Sequence, residues 1–303
     1  MDYIYRESGT GRKFFIIANP AAGNGFQFRK IQNYVRRLKV SDWETEVMLT
    51  DAPGHAGALT RELLGRRCDL LAVCGGDGTI NEVVSALPPS PPFPLAVLPG
   101  GTANVLCREL RIPFSPAAAL DVALKRKIRL VDTGEMRAIE NRRFTFVAGI
   151  GFDASAINRA RSAFKNKTGI IAYAVAVAER LARYKFPEFA VTMNGGSYTA
   201  TSCLVCNARS YGGGLILCPD ADMTDGLLDV MVIEGVHRMS LAGFLLSARF
   251  RSGTTPSWVR RVRTKQLRIE GPSTICIETD GELAGKLPAL FSISEKSLPL
   301  IVP

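Results

Sequence analysis

Two apolar runs of this chain end in the same way, and that repetition limits the possible folds more than any other feature. Leu70-Leu71-Ala72-Val73-Cys74 leads into Gly75-Gly76-Asp77-Gly78-Thr79, and Leu95-Ala96-Val97-Leu98 leads into Pro99-Gly100-Gly101-Thr102-Ala103-Asn104. Short continuous apolar runs of this kind read as strands buried on both faces. The segments that follow, Ile80 to Leu87 and Val105 to Leu110, read as helices. Alternating strand and helix implies a parallel sheet, and such sheets bind ligands at the carboxyl ends of their strands. Glycine pairs at those junctions leave amide N–H groups uncovered by any Cβ. Thr79 stands where it can cap a helix whose positive end suits a phosphate. Asp77 is the odd member, since a carboxylate repels a phosphate unless a divalent cation lies between them. One such loop fits an ordinary turn equally well. Two of them in one sheet favour a nucleotide or polyphosphate site.

The surrounding pattern extends this unit. Lys13 to Ala18 reads as a buried strand ending in Asn19-Pro20-Ala21-Ala22-Gly23-Asn24-Gly25, a third place where amides can meet phosphate. A helix is expected around Ile31, Tyr34, Val35 and Leu38, then a strand Glu46 to Leu49 ending at Thr50-Asp51. Pro53-Gly54-His55 opens a helix through Leu64, and a further helix spans Ser115 to Arg126. Beyond Arg129 short strands replace the strand–helix units. Arg143 to Ala148 reads as one strand, Phe189 to Met193 and Tyr198 to Val205 as a hairpin around Asn194-Gly195-Gly196, and Leu227–Ile233, Gln266–Glu270 and Thr274–Thr279 continue the series. Helices are expected from Ala163 to Tyr184 and from Ser240 to Phe250. The second half is therefore a mostly antiparallel domain.

Composition narrows the function classes. With 303 residues, 47% of them hydrophobic, the chain can bury two cores. Its longest apolar segment, Ile170 to Ala178, is about half of the ~20 residues that a membrane helix needs. Met1 to Ser8 has no signal-peptide apolar core, so a cytoplasmic protein is expected. Seven cysteines include Cys203-Leu-Val-Cys206, but no second pair at zinc spacing accompanies it. Cys68, Cys74, Cys206 and Cys276 lie in apolar runs and read as reduced core thiols. His55 and His237 are the only histidines, which argues against a histidine metal site or a Ser-His triad. The net charge of +10 favours an anionic partner. No nucleic-acid motif accompanies that charge, so an anionic membrane surface is preferred to nucleic acid. Arg159-Ala-Arg161, Lys165-Asn-Lys167 and Arg260-Arg261-Val-Arg263-Thr-Lys265 are the clusters that could form such a face.

Taken in order, the motifs resemble the diacylglycerol kinase catalytic family, in its soluble bacterial lipid-kinase branch, over nearly the full chain. They are Asn19-Pro20-Ala-Ala-Gly23, then Gly75-Gly76-Asp77-Gly78-Thr79 followed by Asn81-Glu82, and Pro99-Gly-Gly101-Thr102-Ala-Asn104. In the second half come Gly149-Ile-Gly151-Phe152-Asp153-Ala154, Tyr211-Gly212-Gly213-Gly214 with Pro219, Thr224-Asp225-Gly226-Leu227-Leu228-Asp229-Val230, and Asp280-Gly281-Glu282. The resemblance implies an α/β plus all-β protein. A three-layer α/β domain like that of NAD kinases and phosphofructokinases would occupy residues 1–133, with about 290–303 returning to it. A C-terminal antiparallel β-sandwich would occupy 134–289.

The resemblance further implies ATP and Mg2+. ATP would be held by Asn19, Thr50, the loop Gly75, Gly76, Asp77, Gly78, Thr79, Asn81 and Glu82, and by Gly101, Thr102 and Asn104. Asp77 would hold the catalytic magnesium or its waters, with Asp132 a further acidic member of that network. Asp222, Asp225 and Leu227 would form a structural magnesium site. Glu282 would be the general base that takes the proton of a lipid hydroxyl as it attacks the γ-phosphorus. Read without the family, Asp280-Gly281-Glu282 is a hairpin turn and Asp222 to Leu227 a polar turn before a strand. Two positions depart from the family pattern. Asn24 stands where a lysine is common, a charge that Arg29 or Lys30 could replace, and Val105 stands where the second loop often carries an aspartate.

The leading expectation is thus an ATP-dependent lipid kinase, with diacylglycerol as acceptor, at the inner membrane face. Lys165 is a membrane- or substrate-contact candidate. A kinase for another lipid (a sphingoid base, ceramide or phosphatidylglycerol) would use the same loops. The two departures motivate a third reading, a non-catalytic nucleotide- or lipid-binding regulator. Oligomeric state is left open, a homodimer being one option.

Overall fold

The computed structural model describes residues 11–23, 43–163, 170–211, 215–235 and 256–303. The helix expected around Ile31 to Leu38, the helix Ser240 to Phe250, Gly212 to Gly214, and the positions Asn24, Arg29, Lys30, Lys165 and Lys167 lie outside them. The chain divides into two compact units, one running to Val131 and including Ser297–Pro303, the other spanning Asp132–Lys296.

The first unit is built on a parallel sheet. Its strands are β1 (Arg12–Ala18), β2 (Trp43–Leu49), β3 (Leu70–Gly75) and β4 (Leu95–Pro99), in the order β2-β1-β3-β4. β1 pairs in parallel with β2 and β3, and β3 with β4. Leu300, near the chain end, pairs in parallel with Leu95. Every residue of β3 and β4 is buried, as is Phe14 to Ala18 of β1. Strands buried on both faces need cover on both, which gives the three layers of an α/β domain. Helices α1 (His55–Leu63), α2 (Asp77–Ala86), α3 (Val105–Glu109) and α4 (Pro116–Lys125) alternate with the strands. β2 starts three residues earlier than its apolar run predicts, and its alternating burial marks it as the edge of the order.

The second unit is a sandwich. β5 (Ile128–Arg137) enters it and pairs with β6 (Asn141–Phe144). β7 (Val147–Gly151) is followed by α5 (Phe152–Ala163) and α6 (Ile170–Arg183), then β8 (Phe189–Met193), β9 (Gly196–Ala200), β10 (Ser202–Cys206), β11 (Ser210–Tyr211) and β12 (Leu215–Ile216). β13 (Leu228–Ile233), β14 (Val259–Thr264), β15 (Gln266–Glu270), β16 (Cys276–Thr279), β17 (Glu282–Lys286) and β18 (Ala289–Ile301) complete the chain. One sheet runs β14-β13-β10-β7-β16-β17, antiparallel throughout. The other joins β9, β8, β15 and the first residues of β18. Their facing apolar positions form one core that includes Phe144, Ile150, Val191, Val205, Val230, Ile269, Ile277 and Phe291. Each such side chain contributes about 1.5–3 kcal/mol by leaving water.

Two strands read from the sequence prove to be two each. Arg143 to Ala148 breaks after Phe144, because the N–H groups of Thr145, Phe146 and Val147 all donate to the Asp280 carboxylate. Tyr198 to Val205 breaks at Thr201, whose N–H and hydroxyl both donate to Ile233 O, and there the chain leaves one sheet for the other. The sequence shows β14 only as a basic cluster. Its residues Arg260, Arg261 and Arg263 point their charge outward from a strand that pairs with β13. All seven cysteines are free thiols, although Cys68 and Cys276 are only partly buried. Burial pushes Cys74 and Cys107 up to about 12, so they are inert core groups. Among the described residues no helix is long and apolar enough to cross a membrane.

Candidate functional site

Four strand ends of the first unit leave its sheet at one edge. Ala18 pairs with both Leu49 and Cys74, and Gly75 with Pro99. The loops beginning at Asn19, Thr50, Gly76 and Gly100 therefore start side by side. They are tied through backbone: Asn19 N–H donates to Cys74 O at 2.9 Å, Thr50 N–H to Ala18 O at 2.9 Å, and Gly100 N–H to Gly75 O at 2.8 Å. The glycine loops are also in contact. A Cβ on Gly101 would lie 2.5 Å from Gly76 Cα, and one on Gly23 would lie 2.7 Å from Gly100 O. Only glycine permits that approach, and it leaves the main chain there uncovered by any Cβ.

Side chains lock the cradle. α2 begins at Asp77, with Gly76 as its cap in extended backbone and no capping side chain. Thr79 was expected to cap this helix. It lies instead in the first turn, where its Oγ1 accepts from Asn19 Nδ2 at 3.2 Å. The amides of a first helical turn have no intrahelical acceptor, so the start of α2 suits an anion. Asp77 Oδ1 accepts the Val105 N–H at 2.8 Å, which ties the start of α2 to the start of α3. Asn104, left-handed at φ 46, closes its own loop: its Oδ1 accepts the Gly101 N–H at 2.9 Å and its Nδ2 donates to Gly101 O at 2.8 Å. Thr102 is exposed on that loop, and Gly78 is half-buried in the other.

Two residues expected to touch ATP have other work in this unit. Glu82 takes the Gly54 N–H on Oε1 at 2.8 Å and the Ala56 N–H on Oε2 at 3.1 Å, so it caps α1 from a distance. Asn81 is 2% exposed, and its Oδ1 accepts from Ser85 Oγ at 3.5 Å.

The second unit holds the other candidates. Asp280, at φ 50, and Gly281, at φ 87, form a two-residue turn between β16 and β17, a left-handed pair of the kind favoured by Asp-Gly. The Asp280 carboxylate is buried and accepts from Thr145 N at 2.7 Å, Thr145 Oγ1 at 2.9 Å, Phe146 N at 3.0 Å and Val147 N at 3.1 Å. Glu282 is the first residue after this turn and is half-buried. Thus a clamped turn presents Glu282, and the sequence reading missed the clamp. It also missed Glu278, which is wholly buried and accepts the Gly281 N–H on Oε2 at 2.7 Å.

Asp132 and the expected structural metal loop also lie in the second unit. Asp132 is 1% exposed, and its two oxygens accept the Gly226 N–H at 2.8 Å and the Lys296 N–H at 2.6 Å. That makes it a brace for buried backbone, not an open magnesium ligand. Asp222 Oδ1 accepts from Thr224 N at 3.0 Å and Thr224 Oγ1 at 2.7 Å. Asp225 accepts the Leu227 N–H on Oδ1 at 3.0 Å and pairs with Arg263 on Oδ2. The Arg263 guanidinium, which also faces Asp229 at 3.5 Å, supplies the positive charge there. Asp222, Asp225 and Leu227 thus form a turn closed on an arginine. Among the described residues no group of three His, Cys, Asp or Glu side chains is placed to hold a metal. Arg159, expected on a basic face, donates to Glu179 at 2.7 Å, a carboxylate that it shares with Arg183 at 3.0 Å.

Comparison with known proteins covers both units. The sequence model of the diacylglycerol kinase catalytic domain matches residues 13–136. That of the YegS C-terminal NAD kinase beta sandwich-like domain matches residues 146–302. A diacylglycerol kinase of Staphylococcus aureus (strain JH9) is 29% identical over 291 residues, covering 95% of this chain and 91% of that protein. The crystal structure of a diacylglycerol kinase from Bacillus anthracis strain Sterne superposes with a TM-score of 0.72 at 21% identity, over 98% of each chain. An NAD kinase from Archaeoglobus fulgidus in complex with ATP superposes with a TM-score of 0.53 at 15% identity, over 95% of this chain and 93% of its own.

Proposed function

Because this chain belongs to the family that joins a diacylglycerol kinase catalytic domain to a YegS C-terminal domain, and is a kinase by that membership, we propose that it transfers the γ-phosphoryl group of ATP to a lipid hydroxyl, with diacylglycerol as acceptor and phosphatidic acid as product. The observation that carries this reading is the glycine cradle, where Gly76 and Gly101 touch without side chains at the start of α2. Its main-chain amides suit the phosphates of a nucleotide. Asn19, Thr50, Thr79, Thr102 and Asn104 line or brace the loops around it. The ATP complex of the NAD kinase of similar fold supports the choice of nucleotide.

Magnesium bound to the phosphates would neutralise the charge that develops during transfer, and Asp77 is the carboxylate of the cradle that would hold it or its waters. Asp77 already fixes the two loops to each other through Val105, so its position is set before any ligand arrives. Glu282 accepts the hydroxyl proton as the oxygen attacks. A rigid turn suits that task, since a general base must meet its proton within hydrogen-bond reach.

The test is a panel of hydroxylated lipids incubated with labelled ATP, run with the wild type beside Glu282→Gln and resolved by thin-layer chromatography. Diacylglycerol should be labelled, and Glu282→Gln should slow turnover by about 10²–10⁴-fold with ATP affinity nearly retained. Labelling of a sphingoid base, ceramide or phosphatidylglycerol alone would move the acceptor but keep the chemistry. No turnover on any lipid would favour a regulator. We also propose reversible docking on an anionic membrane through the net charge of +10. Equal flotation with neutral and anionic vesicles would sink that part.

A further inference from the structure

Beneath the turn that presents Glu282 lies a group of buried acids that take no proton from the substrate. Glu278 precedes Glu282 by one turn-width on β16 and is 0% exposed. While its Oε2 takes the Gly281 N–H, its Oε1 and Asp153 Oδ2 of α5 both border the space over Gly149. A Cβ on Gly149 would collide with the Asp153 oxygen and lie 2.6 Å from Glu278 Oε1, so glycine leaves the room in which the acids meet. Tyr211 Oη donates to the other Asp153 oxygen at 2.5 Å. Two carboxylates cannot face each other in a dry site with both ionised, whereas one proton between them turns the repulsion into a hydrogen bond. Burial first, and then the charge and hydrogen bond of Asp153, push the Glu278 carboxyl well above the usual range.

We propose that protonated Glu278 is a positioning residue for phosphoryl transfer, donating to Asp153, accepting from Gly281, and so fixing the backbone from which Glu282 projects. This inference rests on the reading of Glu282 as the base. Asp280 clamps the first residue of the turn to Thr145, Phe146 and Val147, and Glu278 clamps the second. With both held, the carbonyl and Cα of Gly281 cannot swing, and Glu282 inherits one orientation. Loss of about 1 Å of alignment costs a reaction on the order of 10²-fold. The chain Tyr211–Asp153–Glu278–Gly281 therefore carries order from α5 and β11 into the turn.

The test compares Glu278→Gln with Glu278→Met, each with and without Glu282→Gln, using ATP and diacylglycerol or whichever lipid of the panel turns over. Glutamine can donate to Asp153 and accept from Gly281, so Glu278→Gln should keep kcat within about threefold of wild type. Methionine keeps the volume and loses both bonds. Glu278→Met should lower kcat by about 10- to 100-fold with KM for ATP unchanged, and should add nothing in the Glu282→Gln background. A Glu278→Met enzyme at wild-type kcat, or one whose loss is undiminished in the Glu282→Gln background, overturns the inference. If Glu278→Met does not fold, Tyr211→Phe takes its place: a severalfold drop in kcat must vanish beside Glu282→Gln, and an additive drop overturns the inference. Wild-type turnover by Glu282→Gln itself would instead sink the base reading.

Discussion

At the strand ends of the first unit the working atoms are main-chain amides, and side chains are kept away. Gly76 and Gly101 meet where a single added carbon would lie 2.5 Å from a neighbouring Cα. At the Asp280–Glu282 turn the working atom is a carboxylate, and the amides around it are already consumed by Asp280 and Glu278. The first arrangement depends on space, so it fails by overfilling. The second depends on buried acids satisfied by partners far away in sequence, so it fails by losing a charge or a proton. A phosphate needs many donors at fixed positions, which a loop of glycines supplies. A proton acceptor needs one group at one orientation, which a doubly clamped hairpin supplies.

The sharpest way to break this comparison is to remove the clamp. Asp280→Ala leaves the N–H groups of Thr145, Phe146 and Val147 without their acceptor in a buried place. The expected loss is about 3–5 kcal/mol in denaturant unfolding. A loss under about 1 kcal/mol would mean that water or backbone replaces the carboxylate, and the turn would not be the rigid element described. Next in size is overfilling of the cradle. Gly101→Ala should cost about 1–3 kcal/mol and weaken ATP binding on the order of tenfold or more, read by calorimetry. Destabilisation with full ATP affinity would reduce the paired loops to a structural device.

The two regions also differ in how far a sequence reveals them. The cradle was legible because its cause is local: apolar strand, glycine pair, helix, repeated twice within about thirty positions. Even so, Thr79 was read as a cap, because which residue caps depends on where the helix starts, and the structure starts it at Asp77. The hairpin was legible as Asp-Gly, but its purpose was not. The partners of Asp280 lie 133 to 135 positions earlier, and nothing in a local pattern points across that interval. Glu278 alternates with Ile277 in β16, so a period-two reading places it in solvent. α5 packs over that face of β16 and buries it instead. Asp132 and the Asp222–Leu227 loop were assigned by resemblance alone. Partners distant in sequence, the Lys296 backbone N–H for Asp132 and the Arg263 side chain for Asp225, surround them, and motifs do not record those.

Proton linkage tests the acid-built region alone. Burial first, and then Asp153 and Asp280, raise the Glu278 carboxyl of the folded chain well above the 4.5 of an unfolded one. Below that pH both states are protonated and the contribution to stability is fully present. As pH rises past 4.5 the unfolded chain releases its proton first, so stability falls until the raised folded value is passed. The expected extra slope is up to about 1.4 kcal/mol per pH unit. It should be absent in Glu278→Gln, measured by denaturant midpoints across pH. Equal slopes in both proteins would mean that the proton does not reside on this pair.

Glu82 gives the smallest effect and the finest discrimination in the glycine-built region. It lies in the same helix as Asp77, and its place in the motif made it a nucleotide contact. In the structure both its oxygens are committed to the Gly54 and Ala56 amides at the start of α1. Glu82→Ala should therefore cost about 1 kcal/mol, the usual value of a lost helix cap. ATP affinity should change by less than about twofold, because the main-chain cradle keeps its shape without that carboxylate. Glu82→Gln, with one acceptor oxygen left, should fall between the two in stability. If ATP affinity drops tenfold while the folding free energy holds, Glu82 reaches the nucleotide itself. The cradle would then be a mixed main-chain and side-chain site, and the contrast with the acid-clamped hairpin would narrow to the glycines alone.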